Sequence, residues 1–303
     1  MNNDRTRRQF FKTAGLSLGA LTLLEQKLAA VEPLKAAAKP AALFSKSAKM
    51  HLGTVTYNLA MDWDVATIIK NCTEAKFEGV ELRTTHKHGV EVTLSKEQRA
   101  EVRKRFADSP VKLWSLGSAF DYHTADPAKL KKDIAATKEY LTLAHDVGAT
   151  GVKVRPNGLP KEVPVEKTLE QIGRSLHELG EFGKDLGQQI RVEVHGPGTS
   201  KLEHIKTMMD VANHKQVGVC WNSNPTDLDG EGFDHNFDLV KDKIFIVHLR
   251  DLYLEDYPFR KLFTRLNDIG FTGYCFAEIP PSTDPVRVMK YYRSLWLAYQ
   301  NLL

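Results

Sequence analysis

Four apolar runs in the C-terminal half of the chain each finish on side chains able to hold a cation. They are IRVEVH with Glu193 and His195, VGVCWN with Asn222, IFIVHLRD with His248, and YCFAEI with Glu278. A buried strand tolerates a carboxylate or an imidazole only where a partner offsets its lost hydration. Two carboxylates, an amide oxygen and an imidazole make a mixed oxygen–nitrogen shell for one divalent metal ion. Manganese, zinc, cobalt or magnesium suits it better than copper or a cluster, and the donor types do not choose among those ions. One or two open positions would admit a substrate's hydroxyl and carbonyl oxygens.

Strand alternation decides which side chains meet. In IRVEVH, Ile190, Val192 and Val194 share one face, and Arg191, Glu193 and His195 the other. The same period turns Lys153 and Arg155 inward in GVKVRP, and Glu81 and Arg83 inward in GVELRT. His248 falls with Ile246 and Arg250, Glu278 with Tyr274 and Phe276, and Asn222 with Gly218 and Cys220. Taken singly, each has an ordinary explanation: a strand histidine bonded within the core, or an inward glutamate paired with Arg191 or Arg250. Taken together, four consecutive strands aim donors at one depth of one cavity. A purely structural core avoids that, because buried charge is costly unless paired or metal-bound.

The elements that must position these groups alternate from residue 51 onward. Strand-like runs cover 52–59, 79–84, 111–117, 151–156, 190–195, 217–222, 244–249 and 274–279. Helical periodicity falls between them, over 63–75, 95–107, 127–147, 165–186, 202–212, 233–240, 259–269 and 285–302. Ser95 and Gln98 form a capping box, and Gly148, Gly187 and Gly270 stand where helices should stop. Eight strand–helix pairs predict an α/β fold, a single (β/α)8 TIM barrel, whose sites lie at the C-terminal ends of its strands. A doubly wound sheet is the alternative, but it would carry a glycine-rich phosphate turn after its first strand, and none is present.

The first residues read as an address. A basic stretch, RTRRQFFK, precedes an apolar segment at 13–24 and then small residues. These are the parts of an export signal, and the apolar segment is too short for a membrane-spanning helix. TRRQFFK resembles a twin-arginine translocation signal with Arg7–Arg8 as the pair. The expected organisation is therefore a signal at 1–30, a linker rich in Ala, Lys and Pro at 31–50, and the barrel at 51–303. The mature protein would be periplasmic, exported by the twin-arginine machinery, without a transmembrane helix. Beyond residue 38 the chain has 36 Lys and Arg against 35 Asp and Glu, a balance that does not argue for a nucleic-acid partner. The three cysteines, Cys72, Cys220 and Cys275, lie in apolar runs with no CxxC spacing, and read as core residues. Homo-oligomerisation is left open.

The E-x-H element at Glu193–His195, the H-x-x-D element at His248–Asp251 and the late Glu278 resemble the xylose-isomerase-like TIM-barrel superfamily. Within it they are similar to the sugar phosphate isomerase/epimerase group, which includes ketose 3-epimerases, inosose dehydratases and hydroxypyruvate isomerases. The resemblance covers roughly residue 51 to the end. It implies one divalent metal held by Glu193, Asn222, His248 and Glu278, with Asn222 standing where the group usually has Asp. It also implies proton removal next to a carbonyl, with an enediolate stabilised by the cation and Glu193 and Glu278 acting as base and acid. His195, Lys153 and Arg250 then become candidates for touching a substrate oxygen, with Glu81 beside them; the alternatives are that His195 holds Glu193 in place and that Lys153 and Arg155 balance the charge of Glu81 and Glu193. His86 and His88, in TTHKHG, lie on a loop at the mouth. Protonation on the opposite face would give an epimerase, transfer to the next carbon an isomerase, and loss of a β-substituent a lyase. Export disfavours a phosphorylated substrate and favours a free sugar or a keto-glycoside. The competing readings are a non-catalytic sugar-binding barrel, which Asn222 favours, and an apurinic-site nuclease, which needs a trinuclear zinc cluster and a basic groove.

Overall fold

Short runs such as GVKV and YCFA are buried along their whole length, as expected of strands covered on both faces. The computed structural model describes residues 50–303, so the expected signal at 1–30 and the linker up to residue 49 lie outside the described residues. Met50 is 3% exposed and packs in the core, so the ordered packing begins one residue before the expected boundary.

Eight parallel strands close in sequence order: β1 His51–Val55, β2 Gly79–Arg83, β3 Lys112–Gly117, β4 Gly151–Val154, β5 Gln189–Glu193, β6 Val217–Asn222, β7 Ile244–Leu249 and β8 Tyr274–Ala277. β8 pairs with β1, which closes the barrel and excludes the doubly wound sheet. The connecting helices are α1 Val65–Ala75, α2 Lys96–Ala107, α3 Pro127–Val147, α4 Val165–Asp185, α5 Leu202–Ala212, α6 Phe233–Val240, α7 Phe259–Asp268 and α8 Pro285–Tyr299. Their starts obey local chemistry. Asp64 caps α1, the Ser95/Gln98 capping box opens α2, and Asp126 and Asp284 each precede a proline at the first helical position. Gly148 ends α3 in the left-handed region, at φ 83°, where a side chain would be strained.

Two apolar clusters follow from the alternation. The larger fills the layer between strands and helices and includes Val80, Leu82, Val152, Val154, Ile190, Val192 and Val247. The smaller is the barrel's floor: Val55, Cys220, Ile246, Tyr274 and Phe276, with Trp114 against them. Arg191 is fully buried at the same end, over the Trp114 ring, and donates to Trp114 O and Thr150 Oγ1. The inside of the barrel is thus apolar below, apart from Arg191, and charged above. Among the described residues no helix is long and apolar enough to cross a membrane.

Candidate metal centre

Four C-terminal strand ends supply the charged layer. Glu193 is the last residue of β5, Asn222 the last of β6, His248 lies on β7, and Glu278 follows β8 with its N–H donated to Leu249 O at 2.8 Å. The expected matching depth is not a matching register. Glu193 pairs with Cys220, two residues before Asn222, while Asn222 pairs with His248, and His248 with Phe276, two before Glu278. Tilted strands in a closed barrel climb by such steps, which brings staggered residues to one level.

There Glu193, His248 and Glu278 each offer a ligand atom within 4.8 Å of the others. His248 Nδ1 is 3.5 Å from Glu278 Oε2 and 4.0 Å from Glu193 Oε1. Asn222 lies alongside, its amide nitrogen 3.4 Å from Glu193 Oε1, and half a turn of the amide would present its oxygen instead. His248 Nδ1 is buried without a hydrogen-bond partner, with the carboxylates of Glu278 and Glu193 at the distances just given. An orphaned imidazole nitrogen between two carboxylates fits a cation. Among the described residues this is the one cluster of three ligand-type side chains, short of a trinuclear nuclease site.

Behind the centre lies a charge network. His248 Nε2 is 3.3 Å from Glu81 Oε1, and both residues are fully buried. Glu81 occupies space that Gly117 leaves open, since a Cβ at 117 would stand 2.7 Å from Glu81 Oε1. Lys153 Nζ donates to Glu193 Oε2 at 2.6 Å and to Ser118 O at 3.3 Å. Burial by itself would raise the Glu81 carboxyl, but His248 and Lys153 hold it down to about 2. Burial also works against ionised Glu193, and Lys153 and His248 again outweigh it, so its pKa is lowered. Burial opposes a charged His248, yet Cys220 and Glu81 carry its pKa well above the usual value. The pocket therefore sets two buried carboxylates, Glu81 and Glu193, against the Lys153 ammonium and the His248 ring.

The other candidates divide. His195 lies just beyond β5, half-buried, with Nδ1 free of any partner and its pKa lowered chiefly by burial. Three of the candidate substrate contacts are engaged within the protein, Lys153 in the charge-balancing role that was its alternative. Glu81 has no exposed surface and faces His248. Lys153 is 5% exposed and engaged with Glu193. His88 takes a hydrogen bond from Val90 N on Nδ1 and gives one to Arg83 O from Nε2, so both ring nitrogens serve its own loop. Arg250 bonds Asp256 at 2.9 Å and lies over the Tyr257 ring. His86 stays at the mouth, its Nδ1 3.0 Å from Thr56 Oγ1.

Two features escaped the sequence reading. Tyr257, in a segment to which no chemistry was given, donates to buried Asp227 at 2.6 Å and receives Trp221 Nε1–H at 3.0 Å. This chain of bonds braces the loop after Asn222. Tyr57, exposed on the loop after β1, stacks on His86. An aromatic residue just past a strand end was the available signal.

The family described as xylose isomerase-like TIM barrel matches residues 69–295, and the chain belongs to it. No curated protein matches the chain by sequence. Among solved structures it is similar in fold to the IolI protein with a bound zinc atom, at 16% identity and TM-score 0.69, over 83% of this chain and 98% of that one. It is also similar to 3-keto-D-glucoside 4-epimerase, YcjR, from E. coli, at 16% identity and TM-score 0.67, over 82% and 99%. A third is D-psicose 3-epimerase from Clostridium cellulolyticum H10 with D-tagatose, at 13% identity and TM-score 0.70, over 84% and 99%. At such identities the likeness is one of fold.

Proposed function

We propose that the chain is a divalent-metal-dependent sugar isomerase or epimerase, or a lyase acting on a keto-glycoside, that removes a proton from a carbon beside a carbonyl. The observation that carries this reading is the meeting of Glu193, His248 and Glu278 around the unpartnered Nδ1 of His248. The similar folds of a zinc-bound protein and of sugar epimerases support it. Glu193, Asn222, His248 and Glu278 would hold the cation, which as a Lewis acid lowers the cost of negative charge on a substrate oxygen.

The chain's own groups do the rest. Glu193 is kept ionised by Lys153 and so is fit to accept a proton. Glu278 supplies the second carboxylate, and its side chain is 26% exposed. With one carboxylate removing the proton and the other returning it, the pair would serve as base and acid. His195 is held neutral by burial and has a free Nδ1 for a substrate hydroxyl. The lyase outcome would need one of these acids to protonate a leaving oxygen.

Zinc- or manganese-loaded protein in deuterium oxide, incubated with ketoses and 3-keto-glucosides, should wash deuterium into the carbon beside the carbonyl. Glu193→Gln and Glu278→Gln should each lower the rate about 10²- to 10⁴-fold, the range for a positioned acid or base. Saturating metal with no exchange in any keto sugar would leave a sugar-binding barrel. Export belongs to the same reading: replacing Arg7 and Arg8 by lysine should stop periplasmic accumulation, and unchanged fractionation would discard the twin-arginine signal.

A further inference from the structure

The rim beside Glu278 carries an aromatic platform that the metal centre does not use. Tyr57 is 44% exposed and lies parallel to His86, with ring centroids 6.2 Å apart and planes 18° apart. The platform is held from below. Arg83 N donates to Thr56 Oγ1 at 2.9 Å, and the same hydroxyl lies 3.0 Å from His86 Nδ1. With the hydroxyl donating, Nδ1 accepts and the ring proton sits on Nε2, which has no acceptor among the described residues. Burial, with His88 and Arg83 nearby, lowers the His86 pKa and keeps the ring neutral.

The platform is also fixed relative to the reaction centre. Thr56 N donates to Glu81 O, and Leu59 N to Ile279 O, so the backbone bearing Tyr57 runs between the strand of Glu81 and the residue after Glu278. An exposed ring backed by a second ring, with an imidazole N–H at its edge, suits the C–H face and peripheral hydroxyls of a pyranose.

We propose that Tyr57 and His86 form a second sugar subsite, so that the preferred substrate is a keto-glycoside whose additional ring stacks at the rim while its keto-sugar ring occupies the metal centre. This deepens the proposed function and rests on it. A peptide or nucleobase would also stack, but neither explains a platform joined by backbone bonds to a sugar-type centre. The lone exposed Tyr253, by contrast, has no such support.

The test uses the full chain loaded with zinc and four probes: 3-keto-D-glucose, D-fructose, 3-keto-cellobiose oxidised on its non-reducing ring, and the glucosyl-fructose isomaltulose. Affinities come from calorimetry and deuterium exchange from NMR. One disaccharide should bind about tenfold tighter than its parent ketose, the scale of one good stacking contact. Tyr57→Ala should collapse that ratio towards one, and Tyr57→Trp should preserve it. His86→Gln, which keeps an N–H donor but no ring, should reduce it in part. Equal affinity for disaccharides and parent ketoses, with exchange observed, would overturn the subsite and leave the proposed function standing. So would a Tyr57→Ala variant that keeps the wild-type ratio. Saturating zinc with no exchange in any probe would overturn both.

Discussion

Glu81 decides how His248 meets the centre. Its Oε1 lies 3.3 Å from Nε2, which assigns that nitrogen to the carboxylate and turns Nδ1 towards Glu193 and Glu278. A carboxylate behind a ligating histidine fixes the ring and strengthens it as a ligand. Glu81→Gln keeps the shape and loses the charge, and zinc titration should show affinity weakened about 10- to 100-fold with the circular dichroism spectrum unchanged. Unaltered affinity would make Glu81 a counter-charge for Lys153 alone. Asn222 tests the opposite sign. Asn222→Asp adds an anion to the shell, and affinity should rise by roughly tenfold, since ligand charge count tunes such sites. An unchanged constant would put residue 222 outside the shell. The identities of all four candidate ligands were legible as polar endings on apolar runs. The partnership of Glu81 with His248 was not, because those residues stand on strands far apart in sequence.

Two irregularities in the strands aim the site. Between β6 and β7 the register slips: Val219 faces Ile244, but Cys220 faces Ile246, so Phe245 is an extra residue. An unslipped register would pair Asn222 with Val247, which packs in the outer layer. With the slip Asn222 pairs with His248 and both face inward. Between β2 and β3 Trp114 is the extra residue, and Glu81 pairs with Ser115. Alternation counted from the C-terminal end of each run places the inward residues correctly, and counting through these bulges would not. The loop after β6 is braced by the chain Trp221–Tyr257–Asp227, and burial pushes the Asp227 carboxyl up to about 8. In the unfolded chain an aspartate ionises near pH ~4. Between those values the folded state holds a proton that the unfolded state gives up, so stability falls as pH rises through that window and levels off above it. Asp227→Asn should abolish the fall and make the variant more stable than wild type at pH 9 by on the order of a few kcal/mol, with little difference near pH 4. Urea denaturation at the two pH values checks it; a variant weaker at both would show that the loop needs the carboxylate itself.

Across the whole molecule the barrel separates two demands. Apolar residues on its floor and outer layer hold the fold, while the upper interior concentrates Glu81, Lys153, Glu193 and His248 in nearly dry surroundings. A cation that binds this arrangement and not the unfolded chain stabilises it by mass action, about 2.7 kcal/mol at a hundredfold excess over Kd. For a domain of this size the melting temperature should rise several degrees with zinc or manganese, at roughly 2–4 °C per kcal/mol. Glu193→Gln should lose most of that rise, and a wild-type transition indifferent to every divalent ion would remove the metal from the account.

The sequence by itself determined the barrel, its eight alternations, the helix caps and the kind of donors at the C-terminal strand ends. Each of these follows from local periodicity and from the cost of burying polar groups, which act over a few residues. Tertiary structure alone decided which donors converge and which are spent elsewhere: Lys153 on Glu193, His88 on its own loop, Glu81 on His248, and Tyr57 against His86 at the rim. Those outcomes depend on strand stagger and bulges, which are set by closing the sheet on itself, a constraint that no single segment carries.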